Sequence, residues 1–179
     1  MTGPAPGGAA GPVPGVRAVR PAVGPAVRPD VNVSRLIAET MAMEMERDPT
    51  VVLLGEDVGA SGGTFGASRG LHRRFGGWRV RDTPISEMAF TGMAVGLAMS
   101  GWRPIVEVMF VDFVGVCLEQ VYNAIAKNRY MSGGAAAMPI TIRAAAGCIG
   151  VAAQHSQCLW GTLAHLPGMK VVERGRAGA

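Results

Sequence analysis

A chain of 179 residues, 49% hydrophobic and 17% charged, is long enough to bury a core as one domain. Its net charge of +4 draws three units from Arg17, Arg20 and Arg28 in an acid-free stretch of 29 residues, so the remainder lies near +1 and lacks the dense basic face of a nucleic-acid binder. The apolar uncharged run Met88 to Trp102 is shorter than the roughly 20 residues needed to cross a bilayer, so it is not expected to span a membrane.

The first 29 residues hold seven of the twelve prolines, with many Gly, Ala and Val, and show neither helical nor strand period. Residues 1–30 are therefore expected to be a disordered extension. The prolines interrupt the apolar segment a secretory signal requires, and the composition lacks the serines of a transit peptide.

From Val31 the texture changes. Val33 to Arg47 (VSRLIAETMAMEMER) places Leu36, Ile37, Met41 and Met45 at helical spacing, with Asn32 or Ser34 as cap, and Asp48-Pro49 closes this amphipathic helix. VVLLGED follows as a short apolar run ending in acids, the pattern of a buried parallel strand. Residues 59–70 (GASGGTFGASRG) read as a mobile Gly-rich surface loop, followed by a short helix at LHRRFG and a strand at RVRDTPI. The alternation continues with a helix at 87–100, a strand at PIVEVMF, a helix at 113–129, a turn at SGGAA and a strand at PITIRAA. A helix near His155 to His165 and a last strand at MKVVE complete the order.

Strands alternating with helices predict an α/β fold with a mostly parallel sheet covered by helices on both faces. Ligands in such folds gather at the carboxyl ends of the strands. Those ends carry Glu56-Asp57, Asp82 to Glu87, Phe110 to Phe113 and the segment after Arg143.

The loop glycines lack a GK[ST] ending and a GxGxxG spacing, so neither a Walker loop nor a dinucleotide fingerprint is supported. His155 and Cys158 are three apart and would share one helical face, but no third group orients them as a nucleophile and base, and packing is the plainer role for Cys158. His155 stands in a polar cluster with Gln154, Ser156 and Gln157, which suits a satisfied structural histidine as well as a functional one. His72 and His165 show no zinc-ligand spacing with it. Cys117, Cys148 and Cys158 are odd in number and show no CxxC, which points to free thiols in a reducing, cytoplasmic setting.

Glu87 is a lone acid at the edge of an apolar run. It either caps the helix MAFTGMAVGLAMS together with Ser86 or has a ligand to meet. Gly92, Ala94, Gly96 and Ala98 thin that helix at a cost of about 1 kcal/mol per glycine, which suggests close contact with another backbone or a flat ring.

GEDVG, DTPISE, RPIVEVMFVDF, RYMSGG, AAQHSQ and HLPGMKVV, in this order, resemble the beta subunits of the thiamine-diphosphate-dependent component of 2-oxo acid dehydrogenase complexes, pyruvate and acetoin dehydrogenases among them. The resemblance runs from about Val31 to Val172. It implies that residues 31–173 form the pyrimidine-binding domain of a transketolase-like fold. It further implies that Glu87 touches a ring nitrogen of the cofactor's aminopyrimidine, where a shared proton favours the imino tautomer that activates the thiazolium carbon. Met88, Phe90 and Met93 would shield that carboxyl.

By the same resemblance Glu56 lies close to the cofactor and the subunit contact, Phe113 packs on the pyrimidine, and His155 serves the substrate or the incoming lipoyl group. Ile140 matches a backbone position at a potassium site in some relatives. The implied reaction is oxidative decarboxylation of a 2-oxo acid, pyruvate first and acetoin or a branched-chain 2-oxo acid as alternatives, with acyl transfer to lipoyl groups. The implied partners are an alpha subunit that holds magnesium and the diphosphate, in a heterotetramer, and a lipoyl acyltransferase core. This chain has no GDG motif followed by a magnesium-holding Asn, so it is not expected to act alone. In the family a carboxyl-terminal domain follows the strand matching MKVV, whereas here RGRAGA follows at 174–179, and the expectation is a truncated chain. A fragment that only binds the alpha subunit is the rival expectation.

Overall fold

The computed structural model describes residues 32–147, 150 and 152–173. The extension expected at 1–30 and the tail at 174–179 lie outside the described residues.

The first helix, α1 (Val33–Arg47), forms where the spacing predicts it. Asn32 is in extended geometry, and its Oδ1 accepts the Arg35 N–H at 3.0 Å, which satisfies one of the donors that a first helical turn leaves unpaired. Ala38, Met41, Ala42 and Met45 are buried along one stripe, while Leu36 lies outside it. At the far end the Arg79 guanidinium donates to the carbonyls of Met45, Asp48 and Val51 at 2.8, 2.9 and 2.8 Å. The Met45 and Asp48 carbonyls at the end of α1 are thereby partnered, and the start of the first strand is pinned beside them.

Four parallel strands follow, β1 (Val51–Gly55), β2 (Val80–Asp82), β3 (Arg103–Phe110) and β4 (Thr141–Ala145), in the order β2-β1-β3-β4. Every residue of β1 is buried, as a strand covered on both faces requires. On one face Val51, Leu53 and Val80 cluster with Met41, Ala42 and Met45 of α1 and with Leu71 of α2 (Leu71–Arg79). On the other, Val52, Leu54, Val106 and Val108 cluster with Phe90 and Ala94 of α3 (Glu87–Met99) and with Val111, Val114, Cys117 and Val121. The expected parallel sheet with helices on both faces is what the chain forms.

Four expectations need correction. The helix expected at 113–129 runs from Val111 as a 3-10 segment to Cys117, passes through a π turn at Gln120–Ile125, and ends as α4 (Ala126–Met131). The helix expected near 155–165 is only a 3-10 turn at Ala153–His155 and a short α5 (Trp160–Ala164). Between them the Gln157 carbonyl accepts the Gly147 N–H at 3.2 Å and its Nε2 donates to Asp112 Oδ1 at 2.8 Å, so this residue is tied to the ends of β4 and β3 and not to a helix. MKVVE forms no strand: Lys170–Glu173 pairs with none of the four, and an apolar run becomes a strand only where a neighbour accepts its ladder. The Gly-rich loop is no open surface loop, since Val58, Thr64, Ala67 and Ser68 are buried, Ser68 Oγ donates to the Val58 carbonyl at 2.7 Å, and the Ser68 N–H donates to the Gly62 carbonyl at 2.9 Å.

Glu107 is 2% exposed in the middle of the sheet, and its register partners are Gly55 on β1 and Arg143 on β4. Arg143 forks onto both carboxylate oxygens. Burial pushes the Glu107 carboxyl up from 4.5 to about 7, with the Arg143 charge and hydrogen bonds opposing it. A carboxyl raised on folding contributes stability that is complete below its unfolded pKa and is lost as pH rises through about 7. Arg143→Leu strands the acid, so we expect a loss of about 3 kcal/mol at pH 8 in denaturant titrations. The loss should be clearly smaller at pH 5, where Glu107 can fold protonated; an equal loss at both values would show that the pair does not govern this dependence.

Candidate active site

Two acids meet at the carboxyl end of the sheet. Glu56 directly follows β1 and is 7% exposed, and Glu87 opens α3 at 8% exposed. Burial first, then the charges of Glu87 and Asp57, hold the Glu56 carboxyl above the usual range. The fold thus brings together two carboxyls that stand 31 positions apart in sequence. Ser86 occupies the cap position of α3 but makes no side-chain capping bond, so the simple reading of Ser86-Glu87 as a capping pair fails. Glu87 still gains from the positive end of α3.

The rest of α3 corrects the sequence reading in two ways. Phe90 is buried beside Thr91 and Ala94, but Met88 and Met93 are 53% and 41% exposed and do not shield Glu87 within this chain. Nor do the small residues line one side, because a helix turns about 100° per residue and alternate positions diverge. Ala94 and Ala98 are buried, whereas a Cβ at Gly96 would meet nothing within 4 Å.

At the same end of the sheet stand four rings. His155 packs edge-on against Phe110 at 4.7 Å between centroids and against Phe113 at 5.2 Å, and Phe110 meets Phe113 at 6.4 Å. Phe65, from the Gly-rich loop, reaches Phe110 at 6.1 Å. Phe113 and His155, expected as site residues, are in contact; Phe65 was missed, and its only signal in the sequence is a large apolar residue among glycines.

Several buried polar atoms here have no hydrogen-bond partner among the described residues: Glu56 Oε1, Asp112 Oδ2, Gln120 Oε1 and His155 Nδ1. Buried polar groups are partnered in native proteins, so this end of the sheet fits a polar-edged ring ligand held between aromatic walls. Burial pushes the Cys117 thiol up, a Thr91 hydrogen bond opposes this and the Glu87 charge adds to it, so Cys117 stays a protonated packing residue.

The remaining candidates lie elsewhere. Ile140 precedes β4, at the opposite end of that strand from the acids, and packs on the core. Cys158 is exposed and shares no helix with His155, which removes the shared-face geometry. No group of three His, Cys, Asp or Glu side chains among the described residues is placed to hold a metal. A cleft of about 1370 Å³ runs along β4 between Val121, Tyr130, Ile142 and Trp160; it contains neither Glu56 nor Glu87, and the chemistry of the side chains outweighs its size.

Residues 30–173 match the family described as transketolase, pyrimidine binding domain, and the chain belongs to that family. Among curated relatives, it is 46% identical over 153 residues to the acetoin:2,6-dichlorophenolindophenol oxidoreductase subunit beta of Cupriavidus necator, covering 79% of this chain and 45% of the relative. It is 50% identical over 143 residues to the mitochondrial pyruvate dehydrogenase E1 component subunit beta of Bos taurus, covering 79% of this chain and 40% of the relative. The chain therefore spans less than half the length of these relatives. A solved structure titled split gene transketolase, inactive beta4 tetramer, shares the fold with a TM-score of 0.55 at 23% identity, over 75% of this chain and 40% of that one.

Proposed function

We propose that this chain is the beta-subunit half of a thiamine-diphosphate site that oxidatively decarboxylates a 2-oxo acid, with pyruvate as substrate, and passes the acyl group to a lipoyl acceptor. The observation that carries this reading is the buried Glu87 at the head of α3, electrostatically coupled to Glu56 at the carboxyl end of a parallel sheet. Relatives named for pyruvate and for acetoin support it, and acetoin is the second substrate to try.

Thiamine diphosphate supplies the carbon nucleophile and electron sink needed for loss of carbon dioxide from a 2-oxo acid. Glu87 holds and shares a proton with the aminopyrimidine edge. Glu56, with its raised affinity for a proton, limits the build-up of negative charge beside Glu87. Phe113 walls the ring, and His155, held by Phe110 and Phe113, faces the reacting groups. In the overall conversion the carboxylate leaves as carbon dioxide, the acyl carbon is oxidised by two electrons, and the lipoyl disulfide takes them, opening to a thioester and a thiol. An alpha subunit supplies the metal and the diphosphate contacts in this reading, and the potassium role of Ile140 belongs to it only as a backbone contribution away from the acids.

The decisive experiment mixes the purified chain with an alpha-type subunit, thiamine diphosphate, magnesium and pyruvate or acetoin, and follows reduction of 2,6-dichlorophenolindophenol. Turnover is expected only when both chains are present. Its absence with both substrates, despite a stable complex, would leave the chain a binding partner without catalysis.

A further inference from the structure

We propose that Phe65 is the outer wall of the site, where it contacts the aliphatic arm of the acyl acceptor and selects which acceptor reaches His155. This rests on the functional reading above. The ring is 65% exposed, although Thr64, Ala67 and Ser68 around it are buried. Its backbone is left-handed, with φ 56° and ψ 19°, a conformation that is costly for a bulky residue and is found where the surroundings enforce it.

The enforcing contacts are visible. The Gly63 N–H donates to the Asp57 carbonyl at 2.8 Å, and the Gly66 N–H donates to the Gly63 carbonyl at 2.9 Å. Together with the two bonds of the buried Ser68, they clamp the loop on both sides of the ring. Held this way, Phe65 stands edge-on to Phe110, and Phe110 stands edge-on to His155. On its outer side Phe65 borders a groove of about 880 Å³ between α1 and α2. It is thus the residue that joins an external groove to the ring series ending at His155, whose Nδ1 is buried without a partner among the described residues.

Two ring contacts outward from His155 is too far for the body of a three-carbon acid reacting beside Glu87, but it suits a flexible apolar chain that enters from solvent. The neighbouring glycines let the backbone hold the ring at this rim.

The experiment uses Phe65→Ala and Phe65→Gly in the complex with an alpha subunit. Glycine removes the ring and relieves the left-handed strain, so a shared effect belongs to the ring and not to the loop. We expect the ratio of lipoamide-linked to dye-linked kcat/KM to fall about ten-fold in both variants. Calorimetric binding of lipoamide to the complex should weaken by a similar factor. An unchanged ratio with unchanged lipoamide binding overturns the inference. Absence of dye-linked turnover in the unmutated complex would instead overturn the functional reading on which it rests.

Discussion

Glu87→Gln, assembled with an alpha subunit, should slow exchange of the cofactor's thiazolium carbon proton by about 10² to 10⁴-fold while cofactor affinity stays within a few-fold. Glutamine keeps the shape and can still hydrogen-bond a ring edge, but it cannot hold a proton and return it. The change should cost the fold little, because what α3 loses is the attraction between its first turn and a carboxylate, about 0.3 to 1 kcal/mol. Proton–deuterium exchange followed by NMR after acid quench separates the two effects. Exchange at the unmutated rate would remove Glu87 from proton transfer and with it the main support for the proposed reaction.

Gly55→Ala should be the most damaging small substitution in the sheet. A Cβ at that position would lie 2.5 Å from the Glu107 carbonyl oxygen and 2.8 Å from the Glu107 Cβ, both on the neighbouring strand. Neither obstacle is the end of a flexible side chain, so β1 and β3 must separate. Overpacking of this kind costs about 3 kcal/mol, which a denaturant titration resolves. The site should suffer as well, since Glu56 is the next residue along the chain and Arg143 pairs with Glu107 across the same row. A stable Gly55→Ala variant with full cofactor binding would mean that the row tolerates a wider spacing than its geometry suggests.

The parts of this protein that its sequence alone determined are those whose bonds close within a few residues. The Asn32 cap sits three positions from the N–H it accepts, the stripe of Met41 and Met45 follows from helical spacing, and the run VVLLG needs only two covered faces to become a buried strand. The position of Glu87 was legible for the same reason, since the acid directly precedes the apolar run that becomes α3. The tertiary structure alone decided the rest. The apolar run MKVVE carries strand composition yet has no pairing partner among the described strands, and the helix expected after His155 gives way because Gln157 is bonded to Asp112, 45 positions away. Glu107 meets Arg143 across 36 positions, and Phe65 meets His155 through Phe110. Helical hydrogen bonds reach four residues and can be read from local pattern, whereas strand pairing, ion pairs across a sheet and ring contacts depend on which distant segments the topology sets side by side.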